Sequence, residues 1–276
     1  MARPNERLIT VQTAPEDRPN HVFYRDVLDI LRQAEIPFLI SGGFALQQFT
    51  GIIREVRDLD IFVLEKHIHA ALEALARSGY PTELTFSHWL GKVYNHTRTE
   101  YVDLIFSSGN GLCKVTDSWF ERAVPSEVFG MPVFLCGPEE MIWQKAFIME
   151  RERYDGADVA HLIRTQSDAI DWERLIGLFG EHWRVLLSHL ILFEFIYPTE
   201  RAKIPRWVKQ RLIVLLQREF DEPLTEEQVC QGPLLSRSQF RVDTEDWGYK
   251  DARLNVMSPE EVAQWTEAAE EKEEKP

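Results

Sequence analysis

Two stretches decide how this chain is read: Phe38-Leu-Ile-Ser-Gly-Gly-Phe-Ala-Leu46 and Arg54-Glu-Val-Arg-Asp-Leu-Asp-Ile-Phe-Val63. In the first, an apolar run ends at Ser41-Gly42-Gly43 and passes into a short helical pattern, which predicts strand, tight turn, helix. Glycines at the head of a helix expose backbone N–H groups at its positive end, and without Cβ atoms they let an anionic ligand approach closely. Ser41 adds a hydroxyl donor. In the second, polar and apolar residues alternate from Asp58 to Val63, as in a half-buried strand. Asp58 and Asp60 then share one face while Leu59, Ile61 and Val63 point to the core. Two ionised carboxylates held together repel each other. A hard cation that prefers oxygen ligands, Mg²⁺ with Mn²⁺ as the alternative, removes that cost.

A third acid interrupts the otherwise apolar run Glu100-Tyr-Val-Asp-Leu-Ile-Phe106, and period-two alternation puts Asp103 on one face with Tyr101 and Ile105. On a neighbouring strand it would complete a two-metal site. Metals roughly 4 Å apart lower the pKa of an attacking hydroxyl and stabilise a pyrophosphate leaving group. Arg57, of opposite parity to Asp58, is expected to face away from the metals.

Outward from this centre, helical spacing covers residues 23–31, 44–49 (closed by Gly51) and 67–78 (stopped at Gly79). Strand-like pieces fall at 36–40, 82–86, 92–96, 100–106 and 131–135. After Gly137 the texture turns helical: 141–152 behind Pro138, Glu139 and Glu140, then 158–164, 171–197 with a break near Gly180, and 205–220. Thr225 and Gln228 form a candidate capping box. Residues 232–255 show no dependable period, and 258–276 open as a helix but run into alternating Glu and Lys.

The whole is 276 residues with net charge −14 and 44% hydrophobic residues, which excludes collagenous, coiled-coil and wholly disordered chains. The negative balance opposes non-specific binding to nucleic acid or anionic membrane. The N-terminal residues lack the apolar core of an export signal, and the greasy stretch 185–197 is short and interrupted by Ser188, His189 and Glu194, so no membrane span is expected. Cys113, Cys136 and Cys230 have neither disulfide-framework nor zinc-ligand spacing, which fits a cytoplasmic protein. His67 and His69 lie two apart on a helix and face different directions, and His88 and His96 lack a third ligand at zinc spacing. The aromatics Trp143, Phe147, Trp172, Phe179, Trp183, Phe193, Phe195 and Trp207 read as helix packing. Arg201, Lys203, Arg206, Lys209 and Arg211 read as a solvated face.

Gly-Gly heading a short helix, Arg-x-x-x-Asp-Leu-Asp on the next strand and a lone Asp on a later one together resemble the nucleotidyltransferase superfamily with the DNA polymerase β-like fold. Within it, the spacing is similar to bacterial abortive-infection type toxin nucleotidyltransferases and their uncharacterised relatives, over about residues 36–165. The resemblance implies an α+β fold, a mixed-sheet nucleotidyltransferase domain followed by an all-helical domain. The expected divisions are a flexible arm 1–20, a catalytic domain 21–136, a helical domain 137–222 and an irregular acidic tail 223–276.

It further implies Mg²⁺-dependent transfer of NMP from an NTP, ATP among the candidates, to a hydroxyl of tRNA, protein or a small molecule, with release of pyrophosphate. Asp58, Asp60 and Asp103 would be the catalytic and metal residues. Ser41, Gly42, Gly43, Arg54, Lys145 and Asp155 would serve the nucleotide, with Arg153 and Asp158 beside Asp155. An antitoxin-like partner fits the toxin branch. The alternative is an inactive nucleotide-binding or partner-binding module of the same fold. One departure stands out: Val56 occupies the place where the family usually has threonine, so any hydrogen bond from that hydroxyl is absent.

Overall fold

The computed structural model describes residues 19–56, 58–223 and 226–273. Residues 1–18 of the expected arm, Arg57, Thr225 and residues 274–276 lie outside the described residues. The chain forms two compact units. One runs to Ser107 and resumes over Lys114–Gly137; the other joins Ser108–Cys113 to the chain from Pro138 onward.

The first unit is built from α1 (Pro19–Gln33), β1 (Phe38–Ile40), α2 (Gly42–Thr50), β2 (Leu59–Val63), α3 (Ile68–Arg77), β3 (Thr82–Phe86), β4 (Leu90–Tyr94), β5 (Tyr101–Ile105), α4 (Asp117–Glu121), β6 (Val124–Val128) and β7 (Met131–Leu135). Phe23, Tyr24, Val27, Leu28 and Leu31 recur at helical spacing in α1 and are all buried, each worth about 1.5–3 kcal/mol of apolar burial. The helix α2 ends where Gly51 turns left-handed (φ 71°) and its N–H donates to the Gln47 carbonyl at 2.8 Å.

The strands form one mixed sheet in the order β3-β4-β5-β2-β1-β7-β6. β1 pairs antiparallel with β2 and parallel with β7, while β2 and β5 run parallel. Ile40, Ile61, Leu104 and Leu135 stand in register across four strands and all are buried. The hairpin β6–β7, of which the sequence reading had only the second strand, turns on Phe129 and Gly130, both at positive φ (56° and 72°).

The second unit is mostly helical: α5 (Pro138–Ala146), α6 (Gly156–Gln166), α7 (Trp172–Phe179), α8 (Trp183–Ile196) and α9 (Arg206–Glu219), then β8 (Val229–Cys230), α10 (Arg241–Glu245), β9 (Lys250–Asp251) and α11 (Pro259–Glu273). The expected helix 141–152 is shorter at its C-terminal end. Its chain doubles back, with a Met149–Tyr154 bridge and the Asp155 N–H on the Ile148 carbonyl at 3.1 Å. Glu139 and Glu140 do more than favour a helix start. Glu139 accepts from the Asp171 N–H at 2.6 Å, and fully buried Glu140 accepts from Arg174 Nε at 2.8 Å, tying α5 to α7.

The expected irregular tail 223–276 is corrected. Leu234 and Met257 are buried, the β8–β9 pair is parallel, Ser236 donates to Glu150 at 2.7 Å, and Arg253 forks onto Asp251 in a buried pair. The β8–β9 pairing and the Ser236–Glu150 bond are long-range in sequence, so no local period announces them.

Of the aromatics expected in the core, Phe147, Trp172, Phe179, Trp183 and Phe193 are buried, whereas Trp207 is 40% and Phe195 81% exposed, which corrects the reading for those two. The stretch Trp172–Ile196 is, by length and composition alone, apolar enough to cross a membrane. It is divided at Gly180 (φ 50°), and Leu175, Phe179, Leu186, Leu190 and Phe193 along it are buried, the ordinary use of a core helix. In the basic strip, Lys209 pairs with Glu194, Arg211 with Glu173 and Lys203 with Glu200.

Candidate active site

In the first unit, β2 and β5 bring three acids together. Asp60 stands opposite Asp103 in the parallel register, and Asp58 precedes β2 by one residue. One carboxylate oxygen from each of Asp58, Asp60 and Asp103 lies within 4.8 Å of the others, and all three are half-buried. An all-oxygen set of this kind suits a hard divalent ion rather than zinc or copper. Tyr101, two residues before Asp103, donates its hydroxyl to Asp58 Oδ2 at 3.4 Å. Burial first, then the charges of Asp58 and Asp103, push the Tyr101 hydroxyl up to about 12, so it stays protonated at neutral pH and donates a hydrogen bond.

The glycine turn sits against the acids. Ser41, buried, donates its N–H to the Asp60 carbonyl at 2.9 Å and stands at the N-cap of α2 without a side-chain capping bond. Gly42 has φ 57°, and a Cβ there would collide with the Asp60 carboxylate. A Cβ on Gly43 would lie 2.8 Å from both Val56 methyl groups. The two glycines are therefore required by close approach, and Val56 fills by apolar contact the place where a threonine hydroxyl would be polar. Arg54 is exposed in the loop before β2, its carbonyl accepting from Gln47 Nε2 at 2.6 Å.

The remaining candidates cluster in the second unit. The Lys145 ammonium donates to Asp155 Oδ2 at 2.8 Å and to Asp158 Oδ2 at 2.7 Å, with all three residues buried. Arg153 adds a fork onto Asp155, 2.9 Å from each oxygen. Burial alone would raise the Asp155 carboxyl, but the Arg153 fork and the Lys145 charge outweigh it and hold it at about 2. The sequence allowed Lys145 an ammonium in water or on phosphate; here it is enclosed by two carboxylates.

The residue missed by sequence reasoning is Lys92. It stands opposite Asp103 on β4 and donates to it at 2.5 Å. Only the strand register reveals it, because nothing in Gly-Lys-Val differs from an ordinary strand edge.

A family model described as uncharacterised nucleotidyltransferase matches residues 13–182, and the chain belongs to that family. No curated protein matches it. Among solved structures it is similar to LnuA, a lincosamide antibiotic adenylyltransferase bound to lincomycin, at 16% identity over 52% of this chain and 96% of that one, with a TM-score of 0.37. It is similar also to the antibiotic-resistance factor ANT(2'')-Ia (15%, covering 62% and 96%, TM-score 0.42) and to JHP933 from Helicobacter pylori (12%, covering 74% and 96%, TM-score 0.36).

Proposed function

We propose that the chain transfers a nucleoside monophosphate from an NTP to a hydroxyl acceptor in a divalent-cation-dependent reaction that releases pyrophosphate. The observation that carries this reading is the convergence of Asp58, Asp60 and Asp103 beside a glycine turn that heads a helix. Asp58, Asp60 and Asp103 would hold Mg²⁺, or Mn²⁺ in its place, and the bound ion would supply positive charge to the acceptor oxygen and to the leaving pyrophosphate. In this reading the Gly42 and Gly43 backbone N–H groups and the Ser41 hydroxyl receive the triphosphate at the positive end of α2, with Arg54 beside it. The acceptor oxygen forms a bond to the α-phosphorus, the bond to the β-phosphate oxygen breaks, and the hydroxyl proton passes to Asp103 or water. Lys145 and Asp155 take a bracing role, because moving that ammonium to a phosphate would take a buried counter-charge away from both Asp155 and Asp158.

The test is pyrophosphate release from each of the four labelled NTPs with RNA, protein and small-molecule acceptors offered in turn. Label transfer to one class, or to the protein itself, supports the reading. Tight NTP binding without release for any acceptor overturns it and leaves the nucleotide-binding module.

A further inference from the structure

The row of side chains that holds two of the acids does not stop at them. Asp60 stands opposite Asp103, Asp103 opposite Lys92, and Lys92 opposite Glu83, so one cationic residue is set into a line of carboxylates across four strands. The Lys92 ammonium bonds Asp103 Oδ1 and also lies 4.0 Å from the centroid of the Tyr101 ring. Its side chain is 19% exposed and that of Asp103 14%, so water screens the pair only in part.

We propose that Lys92 is a positioning residue: an internal counter-cation that holds Asp103 while the site is metal-free and yields that carboxylate as a divalent ion binds. Cation affinity is then set by competition between the ion and the chain's own ammonium. A lysine suits this exchange. Its ammonium is a point charge on a flexible stem, and the Tyr101 ring face offers it a second resting place once Asp103 is taken. An arginine would grip the carboxylate with two parallel bonds and release it less readily. The inference rests on the reading of Asp58, Asp60 and Asp103 as a metal site.

The experiment titrates the full-length protein with Mn²⁺ alone and reads free Mn²⁺ by electron paramagnetic resonance, with no nucleotide present. Lys92→Met is expected to bind Mn²⁺ about tenfold more tightly than wild type, because a like charge near the ion is gone. Lys92→Arg is expected to bind it as weakly as wild type or more weakly. A lysine with only a structural role gives unchanged or weaker binding in both variants, and that result overturns the proposal. Should Lys92→Met fail to fold, Lys92→Gln takes its place: Mn²⁺ binding tighter than wild type supports the competition, and unchanged or weaker binding overturns it. If wild type binds no Mn²⁺, or Asp58→Asn with Asp60→Asn leaves binding unchanged, the metal reading fails and this proposal with it. Binding lost in that double variant but not tightened in Lys92→Met removes only the role of Lys92.

Discussion

Two clusters of charge, one in each unit, show opposite ways of placing acids inside a protein. In the helical unit Asp155 and Asp158 are met by Lys145 and Arg153, so two carboxylates have two cations and the cluster is complete in itself. In the sheet unit the carboxylates of Asp58, Asp60 and Asp103 converge within 4.8 Å of one another, with the Lys92 ammonium bonded to Asp103. In the first, Lys145, Asp155 and Asp158 are buried and the charges balance, as in a structural brace, since an unpaired buried charge costs several kcal/mol. The second is half-buried, and three carboxylate oxygens gathered this closely suit a divalent cation. On the reading proposed above, the difference separates residues that hold the fold from residues held ready for a ligand.

Breaking the three-acid cluster should give the largest effect. Asp58→Ala with Asp60→Ala is expected to lower pyrophosphate release by roughly 10⁴-fold, about 5.5 kcal/mol of barrier, with the melting temperature unchanged or raised as repulsion falls. Breaking the balanced cluster should do the reverse. Lys145→Met leaves two buried acids without their ammonium and is expected to cost about 3–5 kcal/mol of stability, read by urea denaturation. The balanced cluster also has a pH signature. Because the Asp155 carboxyl is held at about 2 against 3.8 for the free group, its contribution, ~2 kcal/mol, is present above about pH 4 and lost as pH falls toward 2. Acid titration of unfolding free energy should show this slope in wild type and lose it in Asp155→Asn. Between the clusters, Gly42→Ala should cost about 1 kcal/mol through its positive φ and lower activity more than stability, because the new methyl displaces Asp60. The smallest effect belongs to Arg153→Gln, whose side chain is 65% exposed: less than about 1 kcal/mol.

Much of the sheet unit could be read in the sequence because its signals are local. Gly51 closes α2, alternation marks β2 and β5, and Asp58, Asp60 and Asp103 interrupt apolar strands. What escaped depends on register and long-range contact. Lys92 gains meaning only when β4 lies against β5, and β6 was hidden because Phe129 takes a left-handed turn position seldom given to an aromatic residue. Phe129 does so while packing against Phe44 and Tyr24, so the core rewards the strain. Likewise Lys145 has no acidic neighbour at helical spacing, and its partners arrive by a doubling-back of the chain after Ala146 that no propensity encodes. The C-terminal segment lacked a period because it packs through single anchors such as Leu234 and Met257 rather than along a continuous apolar face.

The central claim is that Asp58, Asp60 and Asp103 together hold a divalent ion that serves nucleotidyl transfer. Pyrophosphate release from labelled NTP, followed as Mg²⁺ is raised from a chelated baseline, tests it most directly. The account predicts no release at the baseline, a saturable rise with Mg²⁺ in wild type and no rise in Asp58→Ala with Asp60→Ala. Release that proceeds in excess chelator, or that rises equally in the double variant, would contradict it.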